Sequence, residues 1–473
     1  MDAAQIRSLK PMLQKFLSQF DDCFKQSKTR AHLSRYVEGQ VSDLPRKSCE
    51  PIADAHGIPP RTLQQFLNLL NWDHGLMKTR IHQLVAREHA STHSVGILDE
   101  TACPKKGEKS PGVQRQWCGA TGKQDNCVVT VHLGYAVDDF HCLIDSELFL
   151  PESWSEDRDR CRAADIPESM VHRPKTDIAL ELYDRARGNG VTFAWLTFDE
   201  GYGKSVAFLD ALRSRGQHFV AEVPVTCTGW IEKPRMTTSR RPSGRVARKP
   251  RLVLDSRPFR TVQSMLGLEP KLTRQPWKKW HVKDGDKGPM VWEAKCVWFH
   301  PRGVDDLPQD GAYLIVARNV LDREKVKYFV ANAPAETPLG ALLKVAFSRW
   351  RVERCFEEEK TELGFDHFEG RSYVGLIRHQ TITALTHLFL ARTHQAWWGK
   401  KSGTQRMPNS NCVGGAGAVV VADAGRHSRT HGRDHQRNTA AESRIPRKPS
   451  KANTRTARTS QGQNRKTPEM LVE

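Results

Sequence analysis

Apolar residues recur at helical spacing through the first 90 positions of the chain. The pattern is clear in "MLQKFLSQFDDCF" (12–24) and again in "RTLQQFLNLLNW" (61–72), and no alternating strand pattern interrupts it. Positions three and four apart share one face of a helix, so these segments predict amphipathic helices that pack together. We therefore expect an N-terminal helical domain over residues 1–90.

Within this domain, residues 50–67 have the layout of a helix-turn-helix. Gly57 lies at a turn, and two prolines open a second helix whose apolar side chains would pack back on the first. The exposed face of that second helix would then carry Arg61, Gln64 and Gln65, which are suited to a DNA groove. An ordinary helical hairpin fits the same pattern.

From residue 94 the periodicity changes to short strands. "SVGILDET", "NCVVTVHLGYAV" and "HCLIDSELFLP" predict an antiparallel three-strand meander. A helix ("TDIALELYDRARGNG"), a strand ("VTFAWLTFDEGYG"), a second helix ("SVAFLDALRSRG") and a last strand ("HFVAEVP") follow. Residues 91–225 are thus predicted to form the first part of an α/β core, in the order three strands, helix, strand, helix, strand.

The composition shifts again after Pro224. Residues 231–260 form a basic loop rich in Pro, Ser and Thr, and the strand-like segment "VWEAKCVWF" follows it. We interpret residues 226–311 as a β-rich insertion and residues 312–398 as the second part of the core, with one long helical tract from Pro338 to Leu363. Residues 399–473 lose the apolar periodicity, and we expect a disordered basic tail there.

The chain is strongly basic, with 73 Lys and Arg against 54 Asp and Glu, a formal net charge of +19. Such an excess favours a polyanionic partner, and nucleic acid is the first candidate. We find no apolar run of membrane-spanning length and no signal-peptide core, so we expect a cytoplasmic protein. The 11 cysteines show no zinc-ligand spacing and are expected to be reduced thiols.

Two aspartates stand at the ends of apolar runs. Asp99 follows the run in "GILDET", and Asp199 ends "TFAWLTFD". Either residue alone fits a strand-end aspartate that caps a turn. The order of elements, however, is that of a ribonuclease-H-like sheet, in which the first and fourth strands lie side by side. Asp99 and Asp199 would then face each other, with Glu353 supplied by a helix packed alongside.

Three carboxylates in such a group suit phosphoryl transfer with two Mg²⁺ ions, for which Mn²⁺ is a substitute. Glu353 lies in "RWRVERCFEEEK" (349–360), where Arg349 and Lys360 share its helix face. We expect the acid to bind metal and the two cations to bind phosphates. A solvated helix held by side-chain ion pairs is the alternative.

Two tryptophans on an apparent strand of the insertion share one face. Trp292 and Trp298 are six residues apart, so both alternate to the same side. They could stack on a displaced DNA base. The alternative is that both belong to the core of a small β subdomain.

Three blocks, "ILDETACPKKGEKSPGVQRQWCG", "TFDEGYG" and "RWRVERCFEEEKTELGFDHFEGRS", resemble the catalytic blocks of DDE transposases of bacterial insertion sequences. The resemblance is strongest to the insertion-sequence 701 group of the insertion-sequence 4 superfamily and covers residues 30–395. Arg349, Glu353 and Lys360 match the superfamily's Tyr-x-x-Arg-x-x-x-Glu-x-x-x-x-x-x-Lys signature. The place of its tyrosine holds Ala346.

The resemblance implies a ribonuclease-H-like core interrupted by a β insertion. It also implies a DNA transposase that cleaves and transfers strands at terminal inverted repeats, with DNA ends and target DNA as partners. Such a protein would act on bacterial DNA as a homodimer or a higher synaptic assembly. A DNA-binding regulator without catalysis and a nuclease without strand transfer are the rival hypotheses.

Overall fold

The computed structural model describes residues 3–237, 251–252, 258–285 and 288–398. The predicted tail at residues 399–473 and most of the basic loop lie outside these residues. The helices are α1 (Ala3–Leu17), α2 (Ser27–Gln40), α3 (Cys49–Ala55), α4 (Pro60–Asn68), α5 (His74–His89), α6 (Glu152–Ser155), α7 (Arg158–Ala163), α8 (Lys175–Gly188), α9 (Glu200–Gly203), α10 (Val206–Ser214), α11 (Val262–Leu268), α12 (Pro270–Thr273), α13 (Leu339–Phe347), α14 (Trp350–Thr361) and α15 (Tyr373–Trp398). Short 3-10 turns cover Ser18–Cys23 and Phe365–His367.

The strands are β1 (Val95–Pro104), β2 (Gln114–Cys118), β3 (Lys123–Val137), β4 (Phe140–Leu148), β5 (Trp195–Phe198), β6 (Phe219–Val223), β7 (Thr228–Trp230), β8 (Met236–Thr237), β9 (Arg251–Leu252), β10 (Arg260–Thr261), β11 (Lys278–Gly285), β12 (Gly288–Pro301), β13 (Ala312–Asn319) and β14 (Val326–Ala331). None of the described helices is both long and apolar enough to cross a lipid bilayer.

The described residues up to position 90 are mostly helical, as the periodicity predicts. α3 and α4 form a hairpin whose turn contains Gly57 at φ +64°, a left-handed conformation that costs glycine little. Leu63 and Phe66 of α4 are fully buried, which confirms their predicted packing. The residues predicted to form a helix-turn-helix therefore adopt two helices joined by a tight turn.

One large mixed sheet forms the centre of the molecule. Along it the described strands run in the order β10-β7-β12-β13-β14-β6-β5-β1-β3-β2, with β4 paired to β3 and β11 to β12. β1 pairs antiparallel with β3 and parallel with β5, and β5 pairs parallel with β6. The predicted order of three strands, helix, strand, helix, strand is present in β1, β3, β4, α8, β5, α10 and β6.

The structure corrects the predicted arrangement in three places. β2 was not predicted, because its residues lack an apolar alternation. The strands assigned to a separate insertion (226–311) extend the main sheet instead: β12 pairs with β13 over eight residues, across the predicted boundary, and β14 pairs with β6. The predicted helical tract is two helices, since α13 ends before Ser348 and α14 begins at Trp350.

Apolar side chains are buried on both faces of the sheet. On one face, Val95 and Ile97 of β1 pack in a cluster with residues of α13 and α14, among them Val352. On the other face, Leu98 and Leu133 belong to a larger cluster that includes α8, α10 and the N-terminal helices. α14 is therefore held against the face of β1 that carries the odd-numbered side chains, and Asp99 is one of them.

Candidate active site

Asp99 and Asp199 lie side by side because β1 and β5 are neighbours. Leu98 pairs with Phe198 in the parallel ladder, so each aspartate is the next residue on its chain. Asp99 continues in β1, whereas Asp199 leaves the sheet and caps α9, where it accepts the Tyr202 N–H at 3.4 Å. Ends of neighbouring parallel strands are common sites of function in α/β sheets.

The Asp99 carboxylate is buried and partly neutralised. It accepts the Glu100 N–H at 2.8 Å on Oδ1 and Nη1 of Arg349 at 2.9 Å on Oδ2. Burial raises the pKa of Asp99 to about 7, the Arg349 charge opposes this rise and the Asp199 charge adds to it. Burial and then the Glu100 charge likewise raise the pKa of Asp199. The site therefore holds desolvated carboxyl groups that a nearby cation stabilises in the charged form.

Arg349 joins two of the three predicted carboxylates. Its Nη2 donates to Oε1 of Glu353 at 2.5 Å, while Nη1 holds Asp99. The Glu353 side chain is 56% exposed. The four-residue spacing predicted from the sequence thus brings Arg349 and Glu353 together, and the tertiary fold adds Asp99 as their partner.

Lys360 anchors the other end of α14 to the same strand. Its Nζ donates to Thr101 Oγ1 at 2.6 Å and to the Ala102 carbonyl at 3.2 Å. The predicted common face of Arg349 and Lys360 is therefore the face that meets β1. Both cations are engaged with protein groups here, so a phosphate would have to compete with these contacts.

The donor chemistry of the site fits a hard divalent cation, because carboxylate oxygens are the ligands that Mg²⁺ prefers. Burial and the nearby Asp199 charge disfavour the charged form of Asp99, and the Arg349 charge offsets this effect only in part. Within the described residues, no three His, Cys, Asp or Glu side chains are grouped closely enough to bind a single ion. Glu353 would have to turn from Arg349 toward the aspartates, which its exposure allows.

Three residues beside the aspartates, Glu100, Lys175 and Tyr202, were not predicted from the sequence. Glu100 accepts Lys175 Nζ at 2.6 Å, and its charge contributes to the raised pKa of Asp199. Tyr202, one turn after Asp199, is fully buried under the site. Glu100 could have been identified because it directly follows Asp99 in "GILDET". The sequence around Lys175 does not indicate its contact with Glu100.

The predicted DNA-reading residues lie on α4. Arg61 and Gln64 are exposed and Gln65 is half-buried, on the side of the helix away from Leu63 and Phe66. This is the arrangement expected of a helix that presents one polar face to a partner. Their contact with DNA stays a prediction.

The two tryptophans have different surroundings. Trp292 is 4% exposed and its ring lies 5.0 Å from that of Phe347, centroid to centroid. Trp298 is 39% exposed and meets Tyr313 edge to face at 4.9 Å. This favours the core alternative for Trp292, because a buried ring has no face left for a base. Ala346, in the place of the signature tyrosine, belongs to the same buried cluster.

Comparison with known proteins points to one superfamily. The family model described as "DDE superfamily endonuclease" matches residues 19–289, a range that includes Asp99 and Asp199 and ends before α14. The chain is 31% identical over 199 residues to the probable transposase for insertion sequence element IS701 of Microchaete diplosiphon. That alignment covers 39% of this chain and 49% of the relative, so the chain spans about half the length of the curated protein it matches.

A solved structure of the piggyBac transposase synaptic complex with hairpin DNA is also similar, at 9% identity and a TM-score of 0.41. The match covers 88% of this chain and 80% of that one, but a score this low carries no argument. The family match spans more than half of the residues and agrees with the resemblance carried by the three sequence blocks. The chain therefore belongs to the DDE superfamily endonucleases.

Proposed function

We propose that this protein is a DNA transposase that cleaves DNA strands at the terminal inverted repeats of an insertion sequence and joins them to target DNA. The observation that supports this most directly is the contact of Arg349 with both Asp99 and Glu353, beside Asp199. In the proposed site, Asp99 and Asp199 from neighbouring strands would act together with Glu353 from α14. The 31% identity to a probable insertion-sequence transposase supports the same activity.

The core of the protein is proposed to be ribonuclease-H-like. The strand order β4-β3-β1-β5-β6 supports this, with three antiparallel strands followed by two parallel ones. In the proposed organisation, residues 1–90 bind DNA, residues 91–225 and 312–398 form the core, and the strands between them extend it.

Asp99, Asp199 and Glu353 would hold Mg²⁺, or Mn²⁺ in its place. When bound, a pair of such ions supplies an activated hydroxyl nucleophile and stabilises the leaving oxygen of the phosphodiester. The protein's own residues prepare the site. Arg349 opposes the rise in the pKa of the buried Asp99 and holds Glu353 nearby, and Lys360 links α14 to β1.

DNA is the proposed partner. The exposed polar face of α4, with Arg61, Gln64 and Gln65, would read the element ends in a groove, and the net positive charge would draw the protein to the backbone. A homodimer or a higher assembly would hold two ends together on bacterial DNA. Trp298, which is partly exposed, is the remaining candidate for a stacking contact.

A plasmid that carries the gene with its native flanking DNA tests the activity. With Mg²⁺ or Mn²⁺ we expect the purified full chain to cut both ends of the element, and EDTA to abolish the cut. Asp99→Asn, Asp199→Asn and Glu353→Gln should each lower the cleavage rate by at least about 100-fold, with end binding retained. Glu357→Gln is the matched control, since Glu357 lies on the same helix, is 60% exposed and forms its ion pair among the described residues with Arg354.

The outcome also separates the rival functions. A joined product in a second plasmid is expected of a transposase, whereas cuts without joining indicate a nuclease. Specific end binding without metal-dependent cleavage would identify a regulator and refute the proposal. Full cleavage by any one of the three carboxylate variants would remove that residue from the metal site.

A further inference from the structure

A two-strand ribbon projects from the sheet beyond the active site. It consists of β2 (Gln114–Cys118) and the first residues of β3 (Lys123–Cys127), and we call it the β2 ribbon. β2 lies at the end of the sheet order, so one edge of the ribbon has no neighbouring strand among the described residues. None of the residues in the β2 ribbon belongs to the carboxylate site.

The register of the strands places Arg115 and Trp117 of the ribbon on the face of the sheet that carries Asp99. Asp99 pairs with His132 on β3, and Arg115 and Trp117 of β2 pair with Asn126 and Gln124 on the same strand. Directly opposed residues in an antiparallel pair share a face, and even-numbered positions of one strand do too. The ladders of β3 with β1 and with β2 run without a bulge, so the three side chains share this face.

Trp117 is an unusual residue for such a position. Its side chain is 62% exposed, and it makes no ring or cation contact with another described residue. A large exposed indole beside cations on a surface is typical of a binding site rather than of a folding core. Arg115 lies two residues before it on the same face.

The surroundings of the ribbon are basic. The exposed cations that form no ion pair with another described residue are Lys106, Lys109, Arg115, Lys123 and Arg371. A groove of about 820 Å³ runs beside Arg115 and is lined by Lys109, Arg160 and Arg371 against only two acids. One of those acids, Asp157, already caps α7 by accepting the Arg160 N–H at 2.9 Å. The groove therefore offers more free positive charge than negative.

We propose that the β2 ribbon is a second DNA-contact surface, at which Arg115 binds the phosphate backbone and Trp117 packs against the DNA beside it. This inference rests on the proposed function. A second copy of this chain is a poorer occupant, because it would bring the same positive charge to a cationic strand edge.

The strand geometry sets where on the DNA this contact falls. His132, opposite Asp99, is six residues from Asn126 and eight from Gln124. At ~3.4 Å per residue, these positions lie ~20 and ~27 Å from the level of Asp99. Duplex DNA rises ~3.4 Å per base pair, so a duplex that follows the strands meets Arg115 and Trp117 about 6 and 8 base pairs from the cleaved phosphate.

The test combines protein variants with DNA of different length. The probes are a 40-base-pair duplex centred on the cleavage position mapped in the plasmid assay and two shortened duplexes, each keeping only 4 base pairs on one side. Affinity is measured by fluorescence anisotropy with EDTA present, so that no strand is cut. The variants are Arg115→Ala, Trp117→Ala and the double variant.

On the full duplex we expect Arg115→Ala to weaken binding about threefold to tenfold and to lower the slope of log affinity against log salt by about one. Trp117→Ala should weaken binding about fivefold. On one of the two shortened duplexes the wild type should lose the same affinity, and the variants should then bind as the wild type does. Leu321→Ala with Arg323→Ala removes an exposed apolar side chain and an exposed cation from the turn after β13, and this control should change nothing.

A loss of affinity that is equal on all three duplexes, or no loss at all, would overturn the inference. So would variants that alter the oligomeric state of the free protein but bind DNA of every length as the wild type does, since the ribbon would then contact another copy. Metal-dependent cleavage by the wild type reports on the proposed function separately. If the wild type cleaves DNA but the variants lose the same affinity on all three duplexes, only the role of the β2 ribbon is refuted.

Discussion

A buried ion cluster joins the N-terminal helices to the sheet, and we predict that removing its central carboxylate strongly destabilises the protein. Asp145 of β4 is fully buried and accepts Arg185 Nε at 2.7 Å and Nη2 at 3.0 Å. Lys78 of α5 lies 3.1 Å from Asp145 Oδ1 and also donates to the Ser146 carbonyl at 2.6 Å. Replacing Asp145 with Asn keeps the shape of the side chain but removes the negative charge that Lys78 and Arg185 share.

The loss of stability expected for Asp145→Asn follows from the burial of Lys78. The Lys78 side chain is 8% exposed, so it cannot regain water when its counter-ion is lost. Breaking a buried pair in this way costs about 3 to 5 kcal/mol. Arg185 is 31% exposed and keeps Glu147 at 3.7 Å and Glu181 at 3.3 Å, which places the expected loss at the lower end, about 3 kcal/mol. At an unfolding entropy of about 2.1 cal/mol/K per residue, a chain of this size should lose about 3 to 4 °C in Tm.

The effect should depend on pH in a defined direction. Burial alone would raise the pKa of Asp145, but the Lys78 and Arg185 charges outweigh it and hold the pKa below its usual value. A depressed pKa in the folded state means that the stabilisation is complete above the unfolded pKa of about 3.9. It is lost as the pH falls below that value. The gap in Tm between wild type and Asp145→Asn should therefore be constant at neutral pH and narrow below about pH 4.

Scanning calorimetry of both proteins across this pH range measures the gap. Asp184→Asn is the control, because Asp184 also binds an arginine, Arg215 at 2.7 Å, but is 49% exposed. Exposed pairs are worth about 0 to 1 kcal/mol, so its Tm should fall by about 1 °C or less. An Asp145→Asn protein within 1 °C of the wild type at neutral pH would refute the reasoning. A gap that widened in acid would refute the assigned pKa direction.

Two further predictions concern positions near the site. Trp292→Ala should cost about 3 to 5 kcal/mol and lower Tm and all activities together, because the ring is buried, whereas Trp298→Ala should leave Tm within about 1 °C. Equal Tm losses in calorimetry would contradict the different burial of the two rings. Gly203→Ala should unfold or distort α9, which follows Asp199, because a Cβ there would lie 1.8 Å from the Glu222 carbonyl oxygen, while Gly188→Ala, with nothing within 4 Å, should be neutral or slightly stabilising. Normal cleavage and Tm in Gly203→Ala would show that α9 can move away from β6.

Much of the architecture is local and could be predicted from the residue pattern. The helical periodicity of residues 1–90 and the order of strands and helices up to β6 depend on the spacing of apolar residues along the chain. β2 could not be predicted because "QRQWC" has polar residues on both faces. Its conformation depends on hydrogen bonds to β3, which no local pattern encodes.

The residues of the candidate site could be predicted from the sequence, but the contacts between them could not. Asp99 and Asp199 were identifiable because each interrupts or ends an apolar run, and Arg349 and Glu353 because they are four residues apart on a helix. The sequence could not show that Arg349 also binds Asp99, or that Lys360 binds Thr101, since those partners are about 250 residues away. Only the packing of α14 on β1 decides these contacts.

The burial of side chains on one face of a strand could not be predicted from the sequence either. Trp292 and Trp298 share one face of β12, as their spacing predicts, yet one is covered and the other is not. The difference arises because Phe347 of α13 packs over Trp292, while Trp298 lies against Tyr313 and Gly311 and stays partly exposed. Alternation along a strand determines the direction of a side chain, and the element that packs above it determines whether the side chain is buried.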